Sequence, residues 1–313
     1  MNIAVVGVGG VGGYFGGKLT KLLDSNLNHK IHFIARGNHL KKIIRNGLIL
    51  DAEEGTILCR PTTATDDIST LPMLDICMIC VKSYDLNNIL KQLQQKIMDN
   101  TIILPLLNGV DIVYRIRNNI KQGIILPSCV YIGSHIKEPG IVIQRGGSCI
   151  IHTGRDPQSN NLAEDNKFIN NLLNLLNKAE IKYNWHQNPY NEIWSKFMFI
   201  ASFGLVTAAF KKSIGEVLES KELSTYVKNT MNEISNIAKY KRIDLEKNII
   251  EKSFKKAIKF PYETKTSFQR DFEQSGKKDE RDLFGGVIIR LGRESGINVQ
   301  TTEYLYGIIE KNN

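Results

Sequence analysis

The chain has 313 residues, enough for two domains, and its 42% hydrophobic and 23% charged residues are typical of a globular rather than a disordered protein. The net charge of +9 does not predict nucleic-acid binding, because lysines and arginines are interspersed with acidic residues and form no dense basic segment. Five cysteines form no even disulfide framework, which favours a reducing compartment, and we expect a cytoplasmic protein.

The sequence favours neither export nor membrane insertion. Residues 1–6 lead directly into a predicted strand and show none of the features of a secretory signal. The longest strongly apolar stretch, residues 197–210, is shorter than the roughly 20 residues that a bilayer span needs, so we predict a buried helix there.

Neither the cysteines nor the histidines predict a redox or metal centre. Cys77 and Cys80 have C-x-x-C spacing, but they lie in an apolar segment that is typical of a buried strand. A redox pair needs its first thiol at a helix amino terminus, where the thiolate is stabilised. The six histidines lack the spacing of metal ligands, so we expect no bound metal.

The first half of the chain alternates short apolar segments with amphipathic ones. We predict strands over residues 2–6, 31–35, 76–81, 102–106 and 124–132. We predict helices between them, over residues 14–23, 40–46, 86–97 and 110–118. This alternation predicts an α/β domain with a Rossmann-type, doubly wound parallel sheet. A hairpin-like extension over 140–153, a helix over 162–178 and a strand over 181–184 complete a domain of residues 1–184.

After Trp185 strand patterns give way to long helical ones. The predicted helices cover residues 190–210, 223–241, 245–257, 281–295 and 301–311. We therefore predict an all-helical second domain over residues 185–313. No low-complexity linker separates the halves, so we expect two packed domains with a cleft between them.

A G-x-G-x-x-G turn follows the first predicted strand and opens a helix. Its residues are Gly7, Val8, Gly9, Gly10, Val11 and Gly12. The first glycine makes a tight turn, the second lets the backbone approach a pyrophosphate, and the third lets the helix pack on the strand. We expect a dinucleotide here, because a helix amino terminus offers N–H groups and partial positive charge to phosphates.

The end of the second predicted strand indicates which dinucleotide binds. An NAD site places Asp or Glu there to accept hydrogen bonds from the ribose hydroxyls, whereas this chain has Arg36 and no carboxylate within residues 36–39. A guanidinium group can pair with a 2′-phosphate and stack on the adenine. We predict NADP(H), the alternative being that Arg36 only faces solvent.

Over essentially its whole length the sequence resembles the ketopantoate reductase (2-dehydropantoate 2-reductase) family. The resemblance rests on the glycine turn and on several later motifs in the same order. These are residues 35–40 (ARGNHL), 81–84 (VKSY), 107–110 (LNGV), 192–196 (EIWSK), 266–271 (TSFQRD), Glu280 and the closing helical segment 285–295.

The resemblance implies that NADPH reduces a 2-oxo acid, ketopantoate, to pantoate on the route to pantothenate and coenzyme A. It assigns catalytic roles to Lys196 and Glu280, with Lys196 as the general acid that meets negative charge on the substrate oxygen. Glu280 would also hold substrate. A lysine suits this task only where its surroundings tune it, because a free ammonium is a reluctant acid at neutral pH.

The resemblance also implies three binding residues. Asn108 would meet the nicotinamide and the substrate, Lys82 would line the cofactor site, and Ser267 would bind substrate. Asn108 and Lys82 follow predicted strands, at the strand ends where ligands bind in open sheets. Ordinary loop or cap roles are the alternatives, and Ser267 with Asp271 also fits a capped helix start.

Two departures from the family pattern leave the substrate open. Positions four and eight after Lys196, often Asn in the family, are Ile200 and Gly204, and Ser202 is a candidate to compensate. The segment 274–280 is one residue longer than usual, which leaves open whether Asp279 or Glu280 faces the site.

Two alternatives therefore stay open beside ketopantoate reduction. The first is NADPH-dependent reduction of a different 2-oxo or 3-oxo acid. The second is an NADP(H)-binding, redox-sensing module, against which the pairing of Lys196 with Glu280 argues, because a sensor needs no proton donor. As partners we expect a small-molecule acid and no nucleic acid or membrane, with the protein a monomer or homodimer.

Overall fold

The computed structural model describes residues 1–23, 28–159, 163–274 and 278–312. It divides into two compact units. The first comprises Met1–Leu107 and Ile112–Pro189, and the second comprises Asn108–Asp111 and Tyr190–Asn313. The short segment Asn108–Asp111 therefore belongs to the second unit although it is flanked in sequence by the first.

The first unit contains the strands and five α-helices of the described residues. The strands are β1 (Asn2–Val6), β2 (Lys30–Ile34), β3 (Leu48–Ala52), β4 (Gly55–Cys59), β5 (Thr63–Thr65), β6 (Leu74–Ile79), β7 (Ile97–Pro105), β8 (Ile124–Ile125), β9 (Ser128–Val130), β10 (Ser134–Glu138), β11 (Ile141–Gln144), β12 (Ile151–Gly154) and β13 (Tyr183–His186). The helices are α1 (Gly10–Thr20), α2 (Gly37–Asn46), α3 (Ser83–Leu93), α4 (Ile112–Asn119) and α5 (Asp165–Lys178).

The main sheet confirms the predicted Rossmann-type architecture. Its six parallel strands have the order β5-β2-β1-β6-β7-β8. The chain first builds outward from β1 on one side and then crosses to β6 on the other, so the strand order reverses between β1 and β6. The residues Ile3–Val6 of β1 are fully buried, as expected for a central strand covered on both faces. In such sheets the reversal point is where ligands bind, outside the carboxyl ends of the strands.

A second sheet, of order β10-β11-β3-β4, was not predicted from the sequence. The antiparallel pair β3 and β4 turns at residues 53–54, and β11 joins it in parallel. Leu48, Leu50 and Ala52 are buried in alternation along β3. That period-2 pattern was the signal available in the sequence.

The predicted strand over residues 124–132 is two strands in different sheets. β8 ends the main sheet, whereas β9 pairs with β12 in a three-stranded sheet that also contains β13. Pro127 lies between them and lacks a backbone N–H, so it cannot continue the hydrogen-bond ladder. The predicted extension over 140–153 begins within an antiparallel hairpin, β10 with β11.

The described part of the second unit is helical. Its helices are α6 (Pro189–Phe210), α7 (Ile214–Glu219), α8 (Lys221–Tyr240), α9 (Ile249–Ala257), α10 (Ser267–Phe272), α11 (Val287–Ser295) and α12 (Gln300–Lys311), with a π-helical turn at Asp282–Gly286. Together with the parallel sheet, this confirms the predicted fold class. Among the described residues one helix, α6, is long and apolar enough to cross a bilayer, and 83% of its most apolar window is buried. Burial of this kind is typical of a core helix.

Candidate active site

The glycine turn lies at the carboxyl end of β1, beside the reversal point of the main sheet. Gly7 has φ +93°, a conformation that side chains other than glycine rarely adopt, and its N–H donates to the Ile34 carbonyl at 3.0 Å. The next N–H, of Val8, donates to the same carbonyl at 3.1 Å. These bonds fix the turn between β1 and β2.

The three later glycines of the turn differ in the space around them. A Cβ at Gly12 would lie 2.2 Å from the Gly7 carbonyl oxygen, and one at Gly10 would lie 2.4 Å from the Ser134 carbonyl oxygen. A Cβ at Gly9 would meet nothing within 4 Å. Packing therefore requires glycine at positions 10 and 12, whereas position 9 is open.

The open position coincides with the start of α1. Gly9 is the N-cap residue and gives the helix no side-chain hydrogen bond. The first N–H groups of a helix have no partner inside it, and they favour an anion that can approach closely. The turn thus has the space and the donors that a phosphate group needs.

His39, a half-buried residue of α2, has a structural role that the sequence did not indicate. Its Nδ1 accepts a hydrogen bond from the Gly140 N–H at 3.0 Å, so the neutral ring carries its proton on Nε2. Burial lowers the pKa of His39. A neutral imidazole therefore joins the first part of α2 to the turn between β10 and β11. Its polar character within the buried side of α2 was the signal that could have indicated this role.

Arg36 is the N-cap residue of α2 and its side chain is 71% exposed. Its Nη2 donates to Asp85 Oδ2 at 2.5 Å, and Asp85 lies in the first turn of α3. The sequence places no carboxylate at the end of β2, but the fold brings this one to Arg36. The Arg36 side chain is therefore exposed to solvent but is held by its ion pair with Asp85.

Two other residues predicted for the cofactor site follow strand ends of the main sheet. Lys82 comes after β6 and is the exposed N-cap residue of α3. Asn108 comes after β7, is half-buried, and belongs to the second unit. The strand after which Lys82 lies, β6, is the neighbour of β1 at the reversal point.

In the second unit the structure brings Lys196 and Asn108 into direct contact. Lys196 lies on α6 with only 8% of the residue exposed, and its Nζ donates to Asn108 Oδ1 at 2.6 Å. Gly109, the next residue, has φ +121°, which allows the chain to turn sharply there. These residues are 88 positions apart in sequence.

Glu280 is also buried, with 5% of the residue exposed, and lies two residues before the π-helical turn. Its neighbour Asp279 accepts hydrogen bonds from Arg281 Nη2 at 2.6 Å and Nε at 3.0 Å. These bonds raise the pKa of the Arg281 guanidinium. Asp279 is thus held by Arg281. The longer loop predicted over 274–280 has its centre, residues 275–277, outside the described residues.

Ser267 is the first residue of α10, is exposed, and does not cap the helix. The cap is Thr266, whose Oγ1 accepts from the Gln269 N–H at 3.2 Å and lies 2.8 Å from Thr207 Oγ1. The capping role considered for Ser267 with Asp271 is therefore wrong by one residue. Serine and threonine are both good N-cap residues, so the sequence could not separate them.

The positions that depart from the family pattern are apolar in the structure. Ile200 is half-buried one helical turn after Lys196, and a Cβ at Gly204 would touch Phe268 Cδ1 at 3.5 Å. Ser202 is fully buried and lies about 200° around the helix from Ile200. Ser202 therefore lies on the opposite side of α6 from Ile200, and its compensating role toward a substrate stays a prediction.

The cysteines and histidines form no other chemical centre in the part of the chain that the structure describes. That part contains no group of three His, Cys, Asp or Glu able to hold a metal ion. Burial raises the pKa of Cys77 to about 12 and also raises that of Cys80, which disfavours a reactive thiolate at either residue.

Comparison with known proteins shows the family to which this chain is related. Residues 3–157 match the family model of ketopantoate reductase PanE/ApbA, and residues 188–313 match the model of its C-terminal domain. A 2-dehydropantoate 2-reductase of Aquifex aeolicus (strain VF5) is 23% identical over 99% of this chain and 96% of its own. The solved structure of a PanE/ApbA family ketopantoate reductase from Ralstonia eutropha JMP134 has a TM-score of 0.87 and 22% identity, covering 99% of this chain and 98% of that one.

The same fold occurs in a dehydrogenase with another name. A D-mandelate dehydrogenase, solved with NADH and anilino(oxo)acetate, has a TM-score of 0.85 and 18% identity, covering 99% of this chain and 98% of that one. Both family models match in order and together span most of the sequence. This chain therefore belongs to the ketopantoate reductase family of oxidoreductases.

Proposed function

We propose that this protein reduces ketopantoate to pantoate with NADPH, on the route to pantothenate and coenzyme A, and that Lys196 is the general acid. The observation that carries the proposal is the 2.6 Å hydrogen bond from Lys196 Nζ to Asn108 Oδ1, in a chain of this family. This hydrogen bond fixes the orientation of the buried Lys196 ammonium group.

Lys196 suits the protonation step for a physical reason. When bound, NADPH supplies a hydride to the carbonyl carbon of the substrate, and negative charge then develops on the carbonyl oxygen. An ammonium carries three N–H donors, so Asn108 can hold one while another gives its proton to that oxygen. Lys196 regains a proton from solvent after the step. Its buried position strengthens the electrostatic stabilisation, because screening by water is weak there.

The glycine turn and Arg36 are the residues that would hold the dinucleotide. The open space at Gly9 and the uncapped start of α1 fit a pyrophosphate. The exposed guanidinium of Arg36 fits a 2′-phosphate. The Asp85 carboxylate competes with the 2′-phosphate for Arg36, and it lowers the positive charge that an NADP site offers.

The Arg36–Asp85 pair leads to a prediction about cofactor preference. Arg36→Ala should lower kcat/KM with NADPH by about tenfold or more and change kcat/KM with NADH little, because only NADPH carries the 2′-phosphate. Asp85→Asn should raise the ratio of kcat/KM with NADPH to kcat/KM with NADH, because it frees Arg36 to pair with the 2′-phosphate. Initial rates with both cofactors measure this, and Arg45→Ala, on the same helix, is the control. A ratio that Arg36→Ala leaves unchanged would remove Arg36 from the cofactor site.

A second candidate function is the reduction of a different 2-oxo or 3-oxo acid, and Ile200 and Gly204 favour it. A site that binds a hydroxyl group discriminates strongly through polar contacts, and these two positions supply none. The D-mandelate dehydrogenase shows that the same fold is found in a dehydrogenase of a different hydroxy acid.

A panel of acids separates the two candidates. If ketopantoate is the substrate, its kcat/KM should exceed that of 2-oxoisovalerate, which lacks the hydroxymethyl group, by about tenfold or more. Equal values, or a preference for 2-oxoisovalerate, phenylglyoxylate or acetoacetate, would support the second candidate. In that case Ile200→Asn should shift the preference toward ketopantoate, whereas Ile258→Asn, at an exposed position, should not.

A further inference from the structure

A buried carboxylate lies three residues after Asn108, on the same short segment. Asp111 is 7% exposed, and its Oδ2 accepts a hydrogen bond from Arg290 Nη2 at 2.6 Å. Arg290 lies on α11 with 41% of its side chain exposed, and its Nη1 also donates to Glu294 at 3.0 Å. Neither residue has a role in the proposed chemistry.

This ion pair attaches the segment Asn108–Asp111 to the helical unit. The segment is flanked on both sides by residues of the first unit, yet its contacts place it in the second. Asn108 at one end bonds to Lys196, and Asp111 at the other bonds to Arg290. Gly109 between them has a positive φ, and the segment connects the end of β7 to the start of α4. Side-chain bonds to α6 and α11 therefore add to this backbone connection in holding the segment.

The same ion pair connects two of the three segments that carry the predicted substrate-binding groups. The π-helical turn begins two residues after Glu280 and continues directly into α11, on which Arg290 lies. A rigid helical path thus runs from Glu280 to Arg290. From there the ion pair reaches the segment of Asn108.

We propose that Arg290 and Asp111 are positioning residues, whose ion pair holds the Asn108 amide oxygen against the Lys196 ammonium. This inference rests on the proposed function only for its effect on catalysis, because the hydrogen bond itself is a structural feature. Asp111 is nearly buried, so replacing Arg290 by an uncharged residue would remove a hydrogen-bonded cation from a carboxylate that water reaches poorly, and we expect the segment to move toward water. A displacement of about 1 Å at a group that directs a proton donor can lower a rate by about 10²-fold.

The first test reads the environment of Lys196 without requiring turnover. Limited acetylation with acetic anhydride, followed by mass spectrometry, gives the modification rate of each lysine. Arg290→Met should raise the rate at Lys196 several-fold, because the amine is no longer held against the Asn108 amide oxygen and becomes more accessible. Arg293→Met is the matched control, since Arg293 lies on the same helix and faces Glu303 at 3.9 Å. It should leave the rate at Lys196 unchanged.

A double-mutant cycle decides whether the effect passes through Asn108. Asn108→Ala should raise the acetylation rate at Lys196 by itself, and adding Arg290→Met should then raise it no further. An equal increase from Arg290→Met in both backgrounds would show general loosening and would overturn the proposal. Arg290→Lys, which keeps the charge, should return the acetylation rate at Lys196 to near its wild-type value. This variant also controls for the case in which Arg290→Met misfolds.

The kinetic arm repeats the same cycle with kcat. Arg290→Met should lower kcat by about tenfold and leave the Kd of NADPH unchanged, and this loss should vanish in the Asn108→Ala background. If the wild type shows no turnover, the proposed function is refuted, and the acetylation experiment alone tests the ion-pair proposal. If the wild type turns over but the losses of kcat from Arg290→Met and Asn108→Ala add up in the double variant, only the ion-pair proposal is refuted.

Discussion

Replacing Lys196 by alanine should lower kcat by about 10²–10⁴-fold at neutral pH, the usual contribution of a positioned general acid. The Kd of NADPH should stay close to that of the wild type, because the residues proposed to hold its phosphates, the glycine turn and Arg36, lie in the first unit. Lys196→Arg should not restore the rate, since a guanidinium keeps its proton at any pH at which proteins fold. Initial rates and a fluorescence titration with NADPH measure the two quantities.

Lys212→Ala is the control for this experiment. Lys212 lies in the same unit and forms an exposed ion pair with Glu216 at 2.7 Å. Such pairs contribute little to stability, so its removal should change neither kcat nor the Kd. A Lys196→Ala variant with wild-type kcat would exclude Lys196 as the acid, whatever its effect on stability.

Gly9→Ala and Gly12→Ala should separate the binding role of the glycine turn from its structural role. Gly9→Ala should leave the melting temperature nearly unchanged, because a Cβ there meets nothing within 4 Å, yet weaken NADPH binding by about tenfold or more. Gly12→Ala should lower the stability itself, by about 1–3 kcal/mol, because its Cβ would collide with the Gly7 carbonyl. Thermal denaturation and the NADPH titration, performed on both variants, distinguish the two outcomes.

Gly307→Ala is the matched glycine control, because it also has open space and lies on α12 of the helical unit. Alanine stabilises a helix interior slightly relative to glycine, so Gly307→Ala should not lower the melting temperature. Because Gly307 is not among the proposed cofactor residues, this variant should also bind NADPH normally. If Gly9→Ala binds NADPH as tightly as the wild type, no phosphate approaches the backbone at that position.

The sequence predicted those parts of the fold that depend on local patterns. The strand β1, the glycine turn and the start of α1 are contiguous, and their order alone indicates a dinucleotide-binding βαβ unit. The helical second unit followed from the 3.6-residue periodicity after Trp185. By contrast, the hairpin of β3 and β4 is short and partly exposed, so its pattern did not stand out.

The contacts that define the candidate site could not be predicted, because they join distant parts of the chain. Lys196 and Asn108 were singled out by resemblance to a family, and no pattern in the sequence indicates that the two side chains touch. Arg36 was correctly placed at the end of β2, but its partner Asp85 comes from a different helix, 49 residues away. Long-range pairs of this kind depend on the packing of whole elements.

The most direct test of the central claim follows the hydride itself. NADPH carrying deuterium at C4 of the nicotinamide, prepared separately for each face of the ring, would be incubated with the protein and ketopantoate. We predict that one of the two forms gives pantoate with a single deuterium at C2, and that Lys196→Ala forms this product far more slowly. NADPH that binds but transfers no deuterium to ketopantoate or to any other oxo acid of the panel would contradict the assignment as a reductase and would favour an NADP(H)-sensing protein.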